Sequence, residues 1–239
     1  MIDSKNSKKA FVRRMFDDIS DRYDLLNRVI SFGLDGYCRK KAAARHVKDN
    51  RVLDICSGTG DMTVELLKFK DFRGMIIMGD FSMEMHKLAR RKLDNFGDGR
   101  YKGAVCWVCC DAENMPFKNN VFDGLISGYS LRNLGDLRAF GSEIGRVLRP
   151  GGSGSLVDVA HPPNRIYAQL FYYYFYKLIP LMSRLFTRKK YAYKYLPVSL
   201  RTFFRQPEVL ERLVSDGLGG GYENLLAGAA ALYKLKKSD

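Results

Sequence analysis

The sequence contains no apolar run long enough to cross a bilayer. A spanning helix needs roughly 18 or more consecutive apolar residues, and none of the 239 residues belongs to such a run. The amino terminus carries Asp3, Lys5, Lys8 and Lys9 in place of an apolar stretch, which is unlike a signal peptide. We therefore expect a cytoplasmic protein, at most peripheral at the inner face of a membrane.

Cysteine and histidine are scarce, with 5 and 3 residues respectively. An odd number of cysteines, scattered over helix-like and strand-like segments, is typical of free thiols. Cys106 and Cys109 form a CxxC pair, but in a strand they point to opposite faces, and no second CxxC or nearby histidine completes a zinc site. We expect buried thiols and no metal site.

Acidic residues are too few to balance the basic ones, since 26 Asp and Glu face 40 Lys and Arg and leave a net charge of +14. Nucleic acid, an anionic membrane surface or solubility each explain such a charge. Basic residues cluster from Lys5 to Arg14, at Arg90–Lys92, and from Arg184 to Lys194. The third cluster follows the aromatic-rich stretch Ile166–Met182, so segment 166–194 suits a membrane interface or a pocket for an aromatic substrate. An ordinary packed helix is the alternative.

The most informative feature of the sequence is a glycine motif in residues 51–61. Residues 51–61 read as a strand, a glycine turn and the start of a helix, and the next apolar run ends at Asp80. Gly58 and Gly60 allow a ligand to approach the backbone, and an acid at a strand tip can accept hydrogen bonds from both ribose hydroxyls. The pattern predicts an adenosine-type site at the carboxyl edge of a parallel sheet.

The motif differs from a dinucleotide fingerprint, because Gly58-Thr59-Gly60 is followed by Asp61. An acid at this helix start would repel a pyrophosphate but would pair with an ammonium group. S-adenosylmethionine fits this description and NAD does not. A glycine turn without ligand is the alternative, and the acids Asp54, Asp61 and Asp80 favour a cofactor.

Strands and helices alternate from residue 51 onward, which predicts an α/β fold with a mostly parallel sheet and helices on both faces. Ser82 is the predicted N-cap of the helix after Asp80. Residues 149–152 read as a turn before a fifth strand at 154–159, and weaker β signals at 221–225 and 229–235 predict a closing antiparallel hairpin. We expect one domain with four parts: a helical cap (1–50), a cofactor-binding core (51–160), a helical substrate-side insertion (161–205) and a C-terminal helix and hairpin (206–239).

Nine segments carry a family resemblance: Met15–Asn27, Ser31–Gly33, the glycine motif, Asp111–Phe117, Phe122-Asp123, Leu131–Asn133, Arg146–Gly152, Tyr193–Leu196 and Leu226–Gly228. Together the chain resembles the class I S-adenosylmethionine-dependent methyltransferases. Within them it is similar to the C-methyltransferases of ubiquinone and menaquinone biosynthesis. The resemblance implies a Rossmann-like, seven-stranded fold and a cofactor site.

That resemblance assigns Thr59 to the cofactor loop, Asp80 to the ribose, and Asp111 with Ala112 to the adenine. Ser127 lies one position earlier than the serine usual in the family. The remaining cofactor candidates come from the same strand ends: Asp54, Gly58, Gly60, Asp61, Phe81, Ser127 and Gly128.

The implied reaction is methyl transfer to a ring carbon of a prenylated quinol, either demethylmenaquinol or a related benzoquinol. A quinol becomes nucleophilic when a ring hydroxyl loses its proton, so a nearby cation would help. We hypothesise that Arg132 stabilises the phenolate and that Asn133 orients it; a salt-bridge anchor is the alternative. Tyr23 could cover the cofactor, and Asp24 could pair with Arg132 or take the proton. Both could equally hold the cap in place.

Two other functions stay open at this point. A basic methyltransferase could act on RNA or on another small molecule, although no Asn-Pro-Pro-Tyr motif for a flipped amine is present. A cofactor-binding scaffold without catalysis is the third alternative. The sequence leaves open the ring type, the tail length and whether the protein is a homodimer.

Overall fold

A seven-stranded sheet forms the centre of the protein, in the strand order β3-β2-β1-β4-β5-β7-β6. The computed structural model describes residues 5–19, 23–96, 103–179, 181 and 190–239. Strands β1 to β5 are parallel, and β7 runs antiparallel to both β5 and β6. The strands are β1 Arg51–Ile55, β2 Met75–Asp80, β3 Val105–Cys109, β4 Phe122–Gly128, β5 Leu148–Val159, β6 Leu218–Leu225 and β7 Ala230–Lys237. The prediction of a mostly parallel sheet closed by a C-terminal hairpin is confirmed.

Helices cover both faces of the sheet. They are α1 Lys5–Ile19, α2 Tyr23–Ile30, α3 Leu34–Ala43, α4 Asp61–Leu67, α5 Met83–Asp94, α6 Leu137–Val147, α7 Arg165–Tyr173, α8 Lys190–Arg201 and α9 Gln206–Leu213. One core lies under α6 and α9, and a second lies under α3, α4 and α5. The central strands β1 and β4 are buried almost throughout because helices cover both of their faces.

The elements after β1 and β2 begin as the sequence predicts. Helix α4 follows Gly60, whose φ of 84° only glycine adopts easily. Helix α5 has Ser82 as its N-cap, and the Ser82 hydroxyl accepts a hydrogen bond from the backbone N–H of Met85 at 3.1 Å. These two caps fix the ends of β1 and β2 at the same edge of the sheet.

The structure corrects two local predictions. Residues 149–152 are the first part of β5, which begins at Leu148 opposite Phe122, because a register shift near Gly124 and a φ of 69° at Gly151 keep this segment paired with β4. Cys106 and Cys109 are exposed, because β3 is an outer strand of the sheet. All five cysteines are free thiols.

The aromatic segment forms α7 and continues as a π-helical turn over Tyr174–Leu178. The basic residues predicted to follow it, 184–189, lie outside the described residues, as do the side chains of 190–194. Within the described ranges, no helix combines the length and the apolar character needed to cross a membrane.

Candidate active site

A cavity of about 470 Å³ lies at the carboxyl ends of strands β1 to β4. Its floor comes from the loops after these four strands, and its roof is one face of α1. Seven of the residues chosen from the sequence line it together: Gly58, Asp80, Phe81, Asp111, Ala112, Gly128 and Asn133. The carboxyl edge of a parallel sheet is the usual place for a ligand in folds of this kind.

Asp80 ends β2 and lines this cavity. Its carboxylate is buried and accepts two backbone hydrogen bonds at 2.9 Å, from the N–H of Gly58 to Oδ2 and from the N–H of Ser82 to Oδ1. Burial raises the pKa of Asp80, and these hydrogen bonds counteract part of that rise. Each carboxylate oxygen has a second lone pair, so Asp80 can still accept hydrogen bonds from a diol.

The loop between β1 and α4 is held in left-handed backbone geometry. Cys56 has a φ of 54°, which is costly for a residue with a side chain, and Gly58 has a φ of 52°. A Cβ atom placed on Gly58 would meet nothing within 4 Å, whereas one on Gly60 would lie 3.0 Å from the Met78 side chain. Gly58 therefore presents open backbone to the cavity, and Gly60 packs against the protein.

Two buried polar atoms near this loop have no hydrogen-bond partner among the described residues: Oδ1 of Asp54 and the hydroxyl of Ser57. The other Asp54 oxygen accepts hydrogen bonds from the backbone N–H and the hydroxyl of Thr63, at 3.1 and 2.7 Å. Burial raises the pKa of Asp54 to about 7. These unsatisfied buried atoms beside the loop leave hydrogen-bonding capacity for a polar ligand or a water.

Asp61, Lys92 and Asp24 form a charged network over the glycine loop. Lys92 lies 2.6 Å from Asp61 and also binds Asp24, whose other oxygen accepts the Thr59 hydroxyl at 2.6 Å. Arg39 lies 3.6 Å from Asp61. Although burial alone would raise the pKa of Asp61, the charges of Arg39 and Lys92 lower it. An ammonium group arriving at Asp61 would therefore share this carboxylate with two side chains.

Helix α1 is tied to the far side of the cavity by two lysines. Lys9 lies 2.7 Å from Asp111 and 3.0 Å from Glu113, and Lys8 donates a hydrogen bond to the carbonyl oxygen of Leu134 at 2.6 Å. Asp111, the predicted adenine partner, is thus paired with the roof of the cavity. Sequence reasoning missed Lys8 and Lys9 because only their place on a folded cap brings them here.

Arg132 is buried beside β5, where its Nε atom lies 2.7 Å from Asp158 and its Nη1 atom donates to the Ser199 hydroxyl at 3.3 Å. The predicted pairing of Asp24 with Arg132 is wrong. Asp24 lies on α2 above the glycine loop and binds Lys92 and Thr59, whereas Arg132 faces β5 and α8. The alternative role of Arg132 as a salt-bridge anchor is present in the structure.

The remaining candidates divide between the cavity and the sheet. The buried Ser127 hydroxyl donates to the carbonyl oxygen of Ile55 at 2.6 Å and so joins β4 to β1, while Ser130, which the sequence did not single out, lines the cavity. Asn133 lines the cavity and donates to the carbonyl oxygen of Tyr129 at 3.4 Å. Tyr23 begins α2, but its side chain lies outside the described part of the chain. No set of three or more potential metal ligands comes together in the described ranges.

Comparison with solved structures identifies the fold. A methyltransferase dependent on S-adenosylmethionine from Aquifex aeolicus superimposes with a TM-score of 0.59 at 17% identity, covering 84% of this chain and 91% of that one. The [4+2]-cyclase SpnF superimposes with a TM-score of 0.66 at 17% identity, covering 95% of both chains. The fold is that of the class I methyltransferases, and a cyclase shares it, so fold alone does not decide the reaction.

Sequence comparison is more specific. The demethylmenaquinone methyltransferase of Desulfitobacterium hafniense is 36% identical over 237 residues, which cover 98% of this chain and 92% of that protein. The ubiquinone/menaquinone biosynthesis C-methyltransferase UbiE of Geobacter sulfurreducens is 33% identical, with 95% and 88% coverage. The sequence model of the ubiE/COQ5 methyltransferase family matches residues 1–237. The chain therefore belongs to the ubiE/COQ5 methyltransferase family.

Proposed function

We propose that this protein is an S-adenosylmethionine-dependent C-methyltransferase that methylates the ring of a prenylated quinol in quinone biosynthesis. Demethylmenaquinol and a related benzoquinol are the two candidate acceptors. The observation that carries the proposal is the family match over residues 1–237 in a chain whose Asp80 carboxylate lines a cavity at the carboxyl edge of the sheet. Relatives named for both kinds of quinone support the acceptor class.

The cavity residues fit the parts of this cofactor in order along the sheet edge. Asp80 would hold the two ribose hydroxyls, and Asp111 with Ala112 would hold the adenine once Lys9 shares or releases the Asp111 carboxylate. Phe81 and Gly128 line the cavity walls.

The amino-acid end of the cofactor belongs at the glycine loop, where Gly58, Thr59 and Gly60 form the turn. The unsatisfied oxygen of Asp54 and the carboxylate of Asp61 supply acceptors for an ammonium group there. Ser127 would act indirectly, because its hydroxyl binds the carbonyl oxygen of Ile55 at the start of this loop.

When bound, the cofactor supplies an electrophilic methyl group on a positively charged sulfur. The protein's part is to bring the acceptor carbon in line with it and to favour the deprotonated ring oxygen. We propose that Arg132, which Asp158 holds at the end of β5, supplies positive potential to that oxygen without lining the cavity. Asn133 borders the cavity beside it. Tyr23 and Asp24 belong to α2 of the cap, where Tyr23 would cover the cofactor and Asp24 holds α2 on the glycine loop.

The proposed reaction is tested by methyl transfer from labelled S-adenosylmethionine to reduced demethylmenaquinone, a demethylated benzoquinol and bulk RNA, assayed side by side. We expect label on a quinol and none on RNA, because the described lining of the cavity is mostly apolar rather than basic. Label on RNA alone would overturn the quinone assignment. Cofactor binding without transfer to any acceptor would instead support the scaffold alternative.

Helix α7 presents an apolar stripe to solvent, and we propose that it contacts the membrane in which a prenylated quinol dissolves. Ile166, Leu170 and Tyr173 are 73%, 65% and 62% exposed, and their spacing places them on one face. Arg165 and Lys177 lie at the two ends of this helical stretch, which matches an anionic surface.

The double variant Ile166→Ser, Leu170→Ser is expected to bind anionic lipid vesicles at least tenfold more weakly, since burying each such side chain contributes about 1.5–3 kcal/mol. Co-sedimentation measures this, with Met75→Ser, an exposed methionine at the start of β2, as the control. Unchanged vesicle binding would contradict the membrane contact. A change from dimer to monomer in light scattering would assign the stripe to a subunit interface.

A further inference from the structure

Tyr195 on α8 has a buried hydroxyl group without a hydrogen-bond partner among the described residues. An unsatisfied buried hydroxyl is costly, and tyrosine hydroxyls in protein interiors usually find a partner. Such a group in a folded enzyme indicates a missing ligand or water. Tyr195 is not among the described residues that line the cavity at the sheet edge.

The ring of Tyr195 lies in an apolar cluster between the cap and α8. It packs against the buried Met15, as do Phe11, Phe16 and Ile30, and its ring centre is 5.6 Å from that of Phe11. Phe16 also lines the cofactor cavity. The cluster and the cavity therefore share a wall, and the residues around Tyr195 suit an aromatic ring rather than a polar molecule.

Helix α8, which carries Tyr195, also contacts Arg132 of the Arg132–Asp158 ion pair. Ser199, one helical turn beyond Tyr195, contacts Arg132, and α8 packs on the 3₁₀ turn Leu131–Asn133 that carries this arginine. Burial raises the pKa of Tyr195 to about 12, so the group is protonated at neutral pH and can donate a hydrogen bond.

We propose that Tyr195 is a catalytic residue that donates a hydrogen bond to the ring oxygen of the quinol acceptor, which binds in the Phe11–Met15–Phe16 cluster next to the cofactor cavity. The inference rests on the proposed function and deepens it by naming the group that meets the reacting ring. Arg132 then stabilises the negative ring oxygen through its positive charge, without contacting the ring.

The chemistry assigns Tyr195 a donor role throughout. The ring hydroxyl first loses its proton to solvent, and Tyr195 stabilises the resulting oxyanion. Electron density from that oxygen moves into the ring, a carbon–carbon bond forms to the transferred methyl group, and the carbon–sulfur bond breaks with its electron pair left on sulfur. The methylated carbon then loses its proton to solvent and the ring regains its aromaticity. Tyr195 keeps its own proton at every step.

The variant Tyr195→Phe separates this role from a structural one. If the hydroxyl only fills space, its removal deletes an unsatisfied polar atom and leaves both kcat and the melting temperature unchanged or raises the latter. If it holds the oxyanion, kcat falls about 10- to 100-fold without loss of stability, because a hydrogen bond to a charged group is lost. Tyr222→Phe, at a tyrosine on the outer strand β6, is the matched control and should behave as wild type.

A pH profile gives the second readout. A donor to the oxyanion lowers the pKa of the bound acceptor hydroxyl, so in Tyr195→Phe the rise of kcat with pH should move to higher pH, which a space-filling role would not cause. A chromophoric naphthol bound to the protein should show the same displacement of its own pKa, measured by absorbance without turnover.

Values of kcat within about twofold of wild type, together with an unmoved naphthol titration, would overturn the inference and assign the hydroxyl to a bound water. Failure of the proposed function is distinguished by the wild type itself, which would then methylate no quinol. The naphthol titration still decides the role of Tyr195 in that case.

Discussion

Replacing Arg132 with alanine is expected to lower the free energy of unfolding by about 3–5 kcal/mol, because the change leaves a buried carboxylate without its partner. Asp158 is fully buried and binds both the backbone N–H and the Nε atom of Arg132. Ser199 would lose its contact as well. Urea denaturation followed by circular dichroism measures the loss.

The control for this variant is Arg138→Ala, which removes the arginine of an exposed pair with Glu211, and exposed pairs contribute at most about 1 kcal/mol. A loss of less than about 1 kcal/mol in Arg132→Ala would contradict the account of a buried anchor. The double variant Arg132→Met, Asp158→Asn removes both charges and should recover part of the stability. If Arg132 also supplies potential to the acceptor oxygen, this double variant stays inactive although it is folded.

Replacing Asp80 with asparagine is expected to raise the Kd for S-adenosylmethionine by about 100-fold or more. Two hydrogen bonds from a diol to a carboxylate contribute about 1.5–3 kcal/mol each, and an amide can accept only one of them. The amide nitrogen would also face a backbone N–H group, from Gly58 or from Ser82. Isothermal titration calorimetry, at a temperature where the variant is folded, gives the affinity.

Glu84→Gln is the matched control, since Glu84 is an exposed carboxylate in the first turn of α5 and pairs only with Lys87 in the described structure. Its affinity should equal that of the wild type. An Asp80→Asn affinity within about threefold of wild type would mean that the ribose of the cofactor binds elsewhere.

The sequence predicts the strand ends and helix starts at the carboxyl edge of the sheet well, because every signal there is local. Gly58 and Gly60 form the turn between β1 and α4. Ser82 is the N-cap of α5, and Asp80 is the last residue of β2, two positions before that cap. Each of these signals depends on residues only a few positions apart in the sequence. The pattern therefore predicts both where β2 ends and that Asp80 lies at its end.

The contacts made by the N-terminal cap could not be predicted from the sequence. Lys9 and Asp111 are 102 positions apart, and neither carries a pattern that predicts the other. Asp24 binds Lys92 rather than Arg132 because of where α2 lies over the glycine loop, which depends on the packing of the whole cap. The exposure of Cys106 and Cys109 likewise depends on strand order, which places β3 at the edge of the sheet.

Helix α1 takes part in two sites at once, since Lys9 and Val12 border the cofactor cavity while Phe11 and Met15 pack against Tyr195. A ligand that holds this helix in place at one site is therefore expected to favour binding at the other. By thermodynamic reciprocity, the factor by which the cofactor strengthens binding of the acceptor equals the factor by which the acceptor strengthens binding of the cofactor. We therefore expect the coupling between cofactor and acceptor to depend on this one helix.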